Sequence, residues 1–260
     1  MTIYRQFRVT YRKRLLVYSL FVRLRLQPAM HFFWLHKWHE QGVELCFADT
    51  MMTGVQPSFL LMLLIPPTLG LVHQLKFILE QPFVICALDN RARLARNLLA
   101  ALLFIAFRAV MAVSIPSIAL GALLFRGGKP CTWESGASYY AYMTGQTLIT
   151  PVKTGSLIVW QAMTIWLTVL LVSILFLSIN LSCESHQLGS ILSWGVCLLA
   201  LWMCSFPVTP KLYRLQKSVS FSVNRIAENT VWRHFLSGIC ILFLESLFLH
   251  FAVTRKDFLR

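Results

Sequence analysis

"GSLIVWQAMTIWLTVLLVSILFLSIN", residues 155–180, runs for 26 residues without an Asp, Glu, Lys or Arg. About 20 apolar residues suffice to cross a bilayer as a helix. No water-soluble domain needs an uncharged helix of that length. This stretch therefore decides the solvent for its surroundings, and the rest of the chain is read outward from it.

The totals agree with a lipid environment. The 260 residues are 57% hydrophobic and only 13% charged, with a mean hydropathy of +0.64. Soluble domains are about 45–50% apolar and about a quarter charged. On the C-terminal side, residues 190–207 follow after a short turn, and 235–253, "FLSGICILFLESLFLHFAV", form a last apolar segment. On the N-terminal side lie 97–125 and 57–75, where Pro66-Pro67 predicts a kink because proline removes a helical hydrogen bond. A further span over 15–36 would have to carry Arg23 and Arg25, each costing about 2.5–3.5 kcal/mol at mid-bilayer. The expected fold is all-α: one transmembrane domain over 1–260, a bundle of five to six transmembrane helices. Basic and aromatic residues alternating through 1–26 predict an N-terminal amphipathic interfacial helix.

The charge balance narrows the partners. The net charge is +14, from 24 Lys and Arg against 10 Asp and Glu. The cations sit in connections and at the N-terminus, which suits anionic lipid headgroups and gives no reason to expect nucleic acid. With six spans and the N-terminus inside, fourteen basic residues fall inside and nine outside, with the basic 208–234 stretch on the outer side. That bias favours both termini in the cytoplasm and a multi-pass protein of a cell membrane, the bacterial inner membrane or plasma membrane.

Chemistry is sparse. The seven cysteines are odd in number and form no CxxC pair, so neither a disulfide framework nor a zinc site is indicated. "GALLFRGGKP" at 121–130 looks like a phosphate loop but has Leu123 inside it and Pro130 after Lys129, so it lacks the Gly-Lys-Ser/Thr ending. His36 and His39 beside Glu40 have a helical spacing compatible with a metal, yet such a cluster is more often simply solvated. No metal, no cofactor and no catalytic residue is expected in this chain. Two charges fall deep within spans, Arg108 and Glu245. Isolated charges in hydrocarbon are expensive and usually face a partner, so the two are expected to share a polar seam.

Between 57–75 and 97–125 stands "ICALDNRARLARNLLA", residues 85–100. Asp89 and Arg93 are four apart, a favourable helical pair. Arg93, Arg96 and Asn97 fall on one face, and Leu88, Ala92, Ala95 and Leu99 on the other. Residues 86–97 therefore read as a short amphipathic helix with a basic face toward the cytoplasm, either a charge anchor or a docking element.

This layout resembles the membrane subunit of ABC-2 type transporters, permeases that work with a separate ATPase. The resemblance rests on the amphipathic N-terminal segment, "FVICALDNRARLARNLLAALLF" between the second and third spans, a kinked outer region before the last span, and the basic end "HFAVTRKDFLR". It covers most of the chain at the level of pattern. It implies two six-helix permease subunits, identical or not, and two cytoplasmic ATPase subunits that hold the ATP and Mg. It also implies a coupling helix carrying Asp89, Asn90, Arg91, Arg93 and Arg96. A second cytoplasmic contact would come at the 183–189 turn "CESHQLG", with Cys183, Glu184 and His186. The competing readings are a non-catalytic accessory, immunity or assembly protein of the membrane, and a membrane enzyme active without ATP.

Overall fold

The computed structural model describes residues 27–55, 64–79, 91–125, 133–145, 147, 153–183, 185–205 and 231–255. The interfacial segment 1–26, the start of the 57–75 span, Asp89, Asn90 and Glu184 lie outside the described residues. Eight helices are described: α1 Gln27–Glu40, α2 Phe47–Thr53, α3 Ile65–Leu79, α4 Arg91–Leu124, α5 Tyr139–Thr144, α6 Thr154–Ser182, α7 His186–Ser205 and α8 Val231–Arg255. Among the described residues there is no strand beyond one isolated bridge between Glu44 and Ser138. The chain is all-α. Three of its described helices, α4, α6 and α8, are long and apolar enough to cross a membrane.

α6 is the post around which the others stand, packing against α2, α3, α4, α7 and α8. Its sequence suits that place. Leu157, Ile165, Val169, Leu170, Phe176 and Leu177 are fully buried, and they lie around the helix rather than along one stripe.

Side-chain meetings set the register of each neighbour. α7 returns antiparallel. Gly189 lies against Asn180, the rings of Trp194 and Phe176 meet edge-on at 5.5 Å, and Cys197 Sγ reaches the Val172 carbonyl at 3.6 Å. α8 runs parallel to α6. Gly238 abuts Leu167, and Glu245 lies within electrostatic reach of Cys197, which is itself bonded to Val172. In α3, His73 meets Phe176 at 6.2 Å, so the C-terminal halves of α3 and α6 lie side by side.

α4 and α6 are antiparallel because both lean on the same cap. Near the C-terminal end of α4, Gly121 lies against Phe47 and Thr50 of α2. Near the N-terminal end of α6, Gln161 lies against Gly54 and donates to Ser117 Oγ at 3.3 Å. Counting along both helices from that bond puts Arg96 level with Ser182. The same count along α8 from Gly238 puts Val253 at that level.

The structure revises three boundaries. Over the described residues 91–97, the basic turns are the beginning of α4 itself, continuous to Leu124. No Gly or Pro stands between Arg91 and Leu98 to break it. The turn expected over 183–189 is shorter, because α7 already begins at His186. Residues at the end of the weak first span belong to α1, which continues to Glu40. Pro66 and Pro67 fall in the first turn of α3 as described, where proline is tolerated, and Pro116 lies inside α4.

The close approach at Gly121 is a test of this packing. A Cβ there would sit 2.7 Å from Thr50 Oγ1 and 2.8 Å from Phe47 Cδ2. Gly121→Val is expected to push α2 off α4 and destabilise by about 1–3 kcal/mol, read as a lower thermal midpoint in detergent. Gly70→Ala, where the added atom meets open space, should leave the midpoint unchanged or raise it.

Candidate functional site

Three features carry polar chemistry: a clasp in the cap, a set of buried polar groups on α6, and the basic end of the bundle.

The cap is built from 27–55 and 133–145. α2 is short and almost wholly buried, and its third residue is Asp49, which is 0% exposed. Asp49 Oδ2 accepts from the Cys46 backbone N–H at 2.7 Å, closing the first turn of α2. Asp49 Oδ1 accepts from Trp133 Nε1, also at 2.7 Å and 84 residues away in sequence. Around this bond Trp133 stacks on Tyr140 at 5.6 Å and Trp38 lies 4.4 Å from Tyr139. Ser138 caps α5 by accepting from the Ala141 N–H, and it donates to the Trp133 carbonyl. Glu44 N–H bonds to the Ala137 carbonyl at 2.8 Å. Two chain segments are thus fastened through one carboxylate. Burial, reinforced by the neighbouring Cys46 thiol and opposed by the two N–H donors, holds that carboxyl well above the usual range for aspartate.

Along α6 the fully buried polar residues are Gln161, Thr164, Ser173, Ser178 and Asn180. Gln161 Nε2 is bonded to Ser117, but Gln161 Oε1, Thr164 Oγ1, Ser173 Oγ, Ser178 Oγ and both polar atoms of the Asn180 side chain have no hydrogen-bond partner. Opposite, Ser114 Oγ of α4 and Glu245 Oε2 of α8 are likewise buried and unbonded. These groups are spread over several faces of α6 and its neighbours inside an apolar bundle. Arg108 sits at comparable depth, half-buried, with its guanidinium 4.9 Å above the Phe104 ring. Arg108 and Glu245 are on helices that pack together, but they form no ion pair. The one ion pair among the described residues is His36–Glu40 at 3.2 Å, on the exposed face of α1. Among the described residues no three His, Cys, Asp or Glu side chains gather as metal ligands.

The basic end gathers residues expected to work together. Arg93 and Arg96 are exposed at the start of α4, while Leu94, Ala95 and Leu98 are buried. The inward face is thus centred on Leu94 and Leu98, with Leu99 only partly covered. Arg91 opens the helix. The α6–α7 turn lies at the same level, with Cys183 half-buried and His186 at the first position of α7. Exposed Arg255 closes α8 there, its guanidinium 4.0 Å from the Phe251 ring. Lys76 is buried within a turn of His73. The described cations of this end are Lys76, Arg91, Arg93, Arg96 and Arg255, with no described acid. The described charges of the cap end are Lys37, Lys153 and Arg233 with Glu40, Glu44, Asp49 and Glu134.

Sequence reasoning did not find the clasp. The signals were an acid inside the apolar run "CFADTMM" and the aromatic group Trp133, Tyr139 and Tyr140. Comparison with protein-family models, with curated proteins and with solved structures finds no match to this chain.

Two outcomes follow from these sites. The buried carboxyl of Asp49 has a raised affinity for its proton in the folded chain, so the fold binds more protons than the unfolded chain does. Stability is then greatest below the ordinary aspartate range and declines as pH rises through the folded value. Thermal midpoints measured across that interval should fall with pH in the native protein and lose this component in Asp49→Asn. Thr164→Val removes a buried hydroxyl that has no partner and keeps its shape; it should raise the thermal midpoint, since an unsatisfied buried group costs about 1–3 kcal/mol.

Proposed function

We propose that this chain is a multi-pass cell-membrane protein of five to six spans and the permease subunit of an ABC-2 type transporter. It carries no nucleotide chemistry of its own. A separate cytoplasmic ATPase holds ATP and Mg, and a second permease subunit completes the translocation unit.

The observation that supports this reading best is the lateral alignment at the basic end. Arg91, Arg93 and Arg96, the α6–α7 turn and Arg255 stand at one level, though they are far apart in sequence. Excess cations mark the cytoplasmic side of a membrane protein, and the described charges at this end are all basic. The coupling element is then the first turns of a 34-residue helix rather than a separate short one. A push at Arg93 is transmitted along α4, past Ser114, Pro116 and Ser117, to the cap. Buried, unbonded polar groups on α6, α4 and α8 give the interior of the bundle a polarity that suits a transport role.

Co-purification is the test. The detergent-solubilised chain should bring down an ATPase subunit bearing a phosphate-binding loop. Arg91→Glu, Arg93→Glu and Arg96→Glu combined should abolish that association while leaving the thermal midpoint within a few degrees of the native protein. Recovery of the native chain with no ATPase would instead favour an accessory or immunity protein. Turnover by the purified chain without ATP would favour an enzyme.

A further inference from the structure

The large exposed hydrophobic residues fall into two groups. Most lie on α4, α6, α7 and α8, where lipid would cover them. Outside those four helices, the described residues have only three: Phe32 at 60%, Phe33 at 56% and Tyr142 at 50%. Phe32 and Phe33 belong to α1, described over Gln27–Glu40.

The depth of α1 can be read from α4. Leu103, Phe107, Met111, Ile115, Ala119 and Leu123 recur every four residues and are all exposed. This stripe is about 30 Å long at 1.5 Å per residue, which equals the thickness of the hydrocarbon core. Its far edge is Leu123, two residues past Gly121, where α2 of the cap is seated. α1 packs against α4 and α2, and its Trp38 lies on Tyr139 of the cap. The cap, where Gly42, Glu44, Glu134, Gly136 and Ala137 are exposed, therefore stands at the boundary of the leaflet, and α1 lies at that boundary.

The exposed side of α1 divides along its length. Its N-terminal half presents Phe32 and Phe33; its C-terminal half presents His36, Lys37, His39 and Glu40. Lys37 Nζ is held 5.3 Å from the Trp34 ring, and His36 pairs with Glu40. Leu35 and Trp38 point into the cap.

On the reading of this chain as a membrane protein, we infer that α1 is a leaflet anchor. Its partner is the phospholipid of the leaflet opposite the basic end. Phe32 and Phe33 enter the acyl boundary, and the polar C-terminal half lies among headgroups, with Lys37 offered to phosphate. An interfacial helix needs this combination of an apolar and a charged surface, and Tyr142 suits the same depth. The anchor holds the cap at a fixed height while α4 moves against it.

The test places a photoreactive benzophenone side chain in the full chain, reconstituted into phosphatidylethanolamine–phosphatidylglycerol vesicles. Phe33→p-benzoylphenylalanine is compared with the same substitution at Phe107, on the α4 stripe, and at Gln41, exposed beyond the end of α1. Expected are lipid-mass adducts at 33 and 107 and their loss at 41. Adducts at 107 with none at 33, or adducts at 33 to a second copy or another protein, overturn the anchor and leave the membrane reading intact. No lipid adduct at either position overturns the membrane reading and the anchor with it.

Discussion

The structure depends on the enclosure of one uncharged helix. α6 has 29 residues, no Asp, Glu, Lys or Arg, and buried positions all around its circumference. Its backbone groups are satisfied within the helix, so it can stand wherever water is excluded. Helices on several sides take their register from it: Gly189 and Gly238 allow α7 and α8 to close on it, and Gln161 fixes α4 through Ser117. The basic turns of α4, the α6–α7 turn and the end of α8 share one level only because each is indexed to the same post.

The cap works by a different principle. Where α6 is held by apolar contact from many sides, the cap is held by direction-specific bonds that converge on Asp49. A buried carboxyl that loses one donor is left with an unsatisfied polar atom, a cost of about 1–3 kcal/mol, so the two N–H bonds from Cys46 and Trp133 support one another. This ties the segment before α3 to the segment before α6. The end of the bundle away from the arginines behaves as a unit rather than as two independent loops.

The helical segments were largely legible from hydrophobicity alone. The run 155–180 became Thr154–Ser182, and the run 235–253 became Val231–Arg255. Those readings need only composition, because transfer of apolar side chains dominates over any local preference. The join between 86–97 and the following segment was misread because the charges of Arg91, Arg93 and Arg96 suggested a boundary. Arginine is a good helix former with a long stem, so charge changed without any change of conformation. The clasp was not legible, since a bond spanning 84 residues leaves no local periodicity. The expectation that Arg108 and Glu245 meet followed from their depth. The structure gives them comparable depth, yet Arg108 turns onto Phe104 of its own helix.

The connection between α6 and α7 is three residues, 183–185, and Gly189 brings the second helix so near that an added Cβ would lie 3.1 Å from the Asn180 carbonyl oxygen. Two helices joined so tightly move as one piece at that end, since parting them there would first have to break the contact at Gly189.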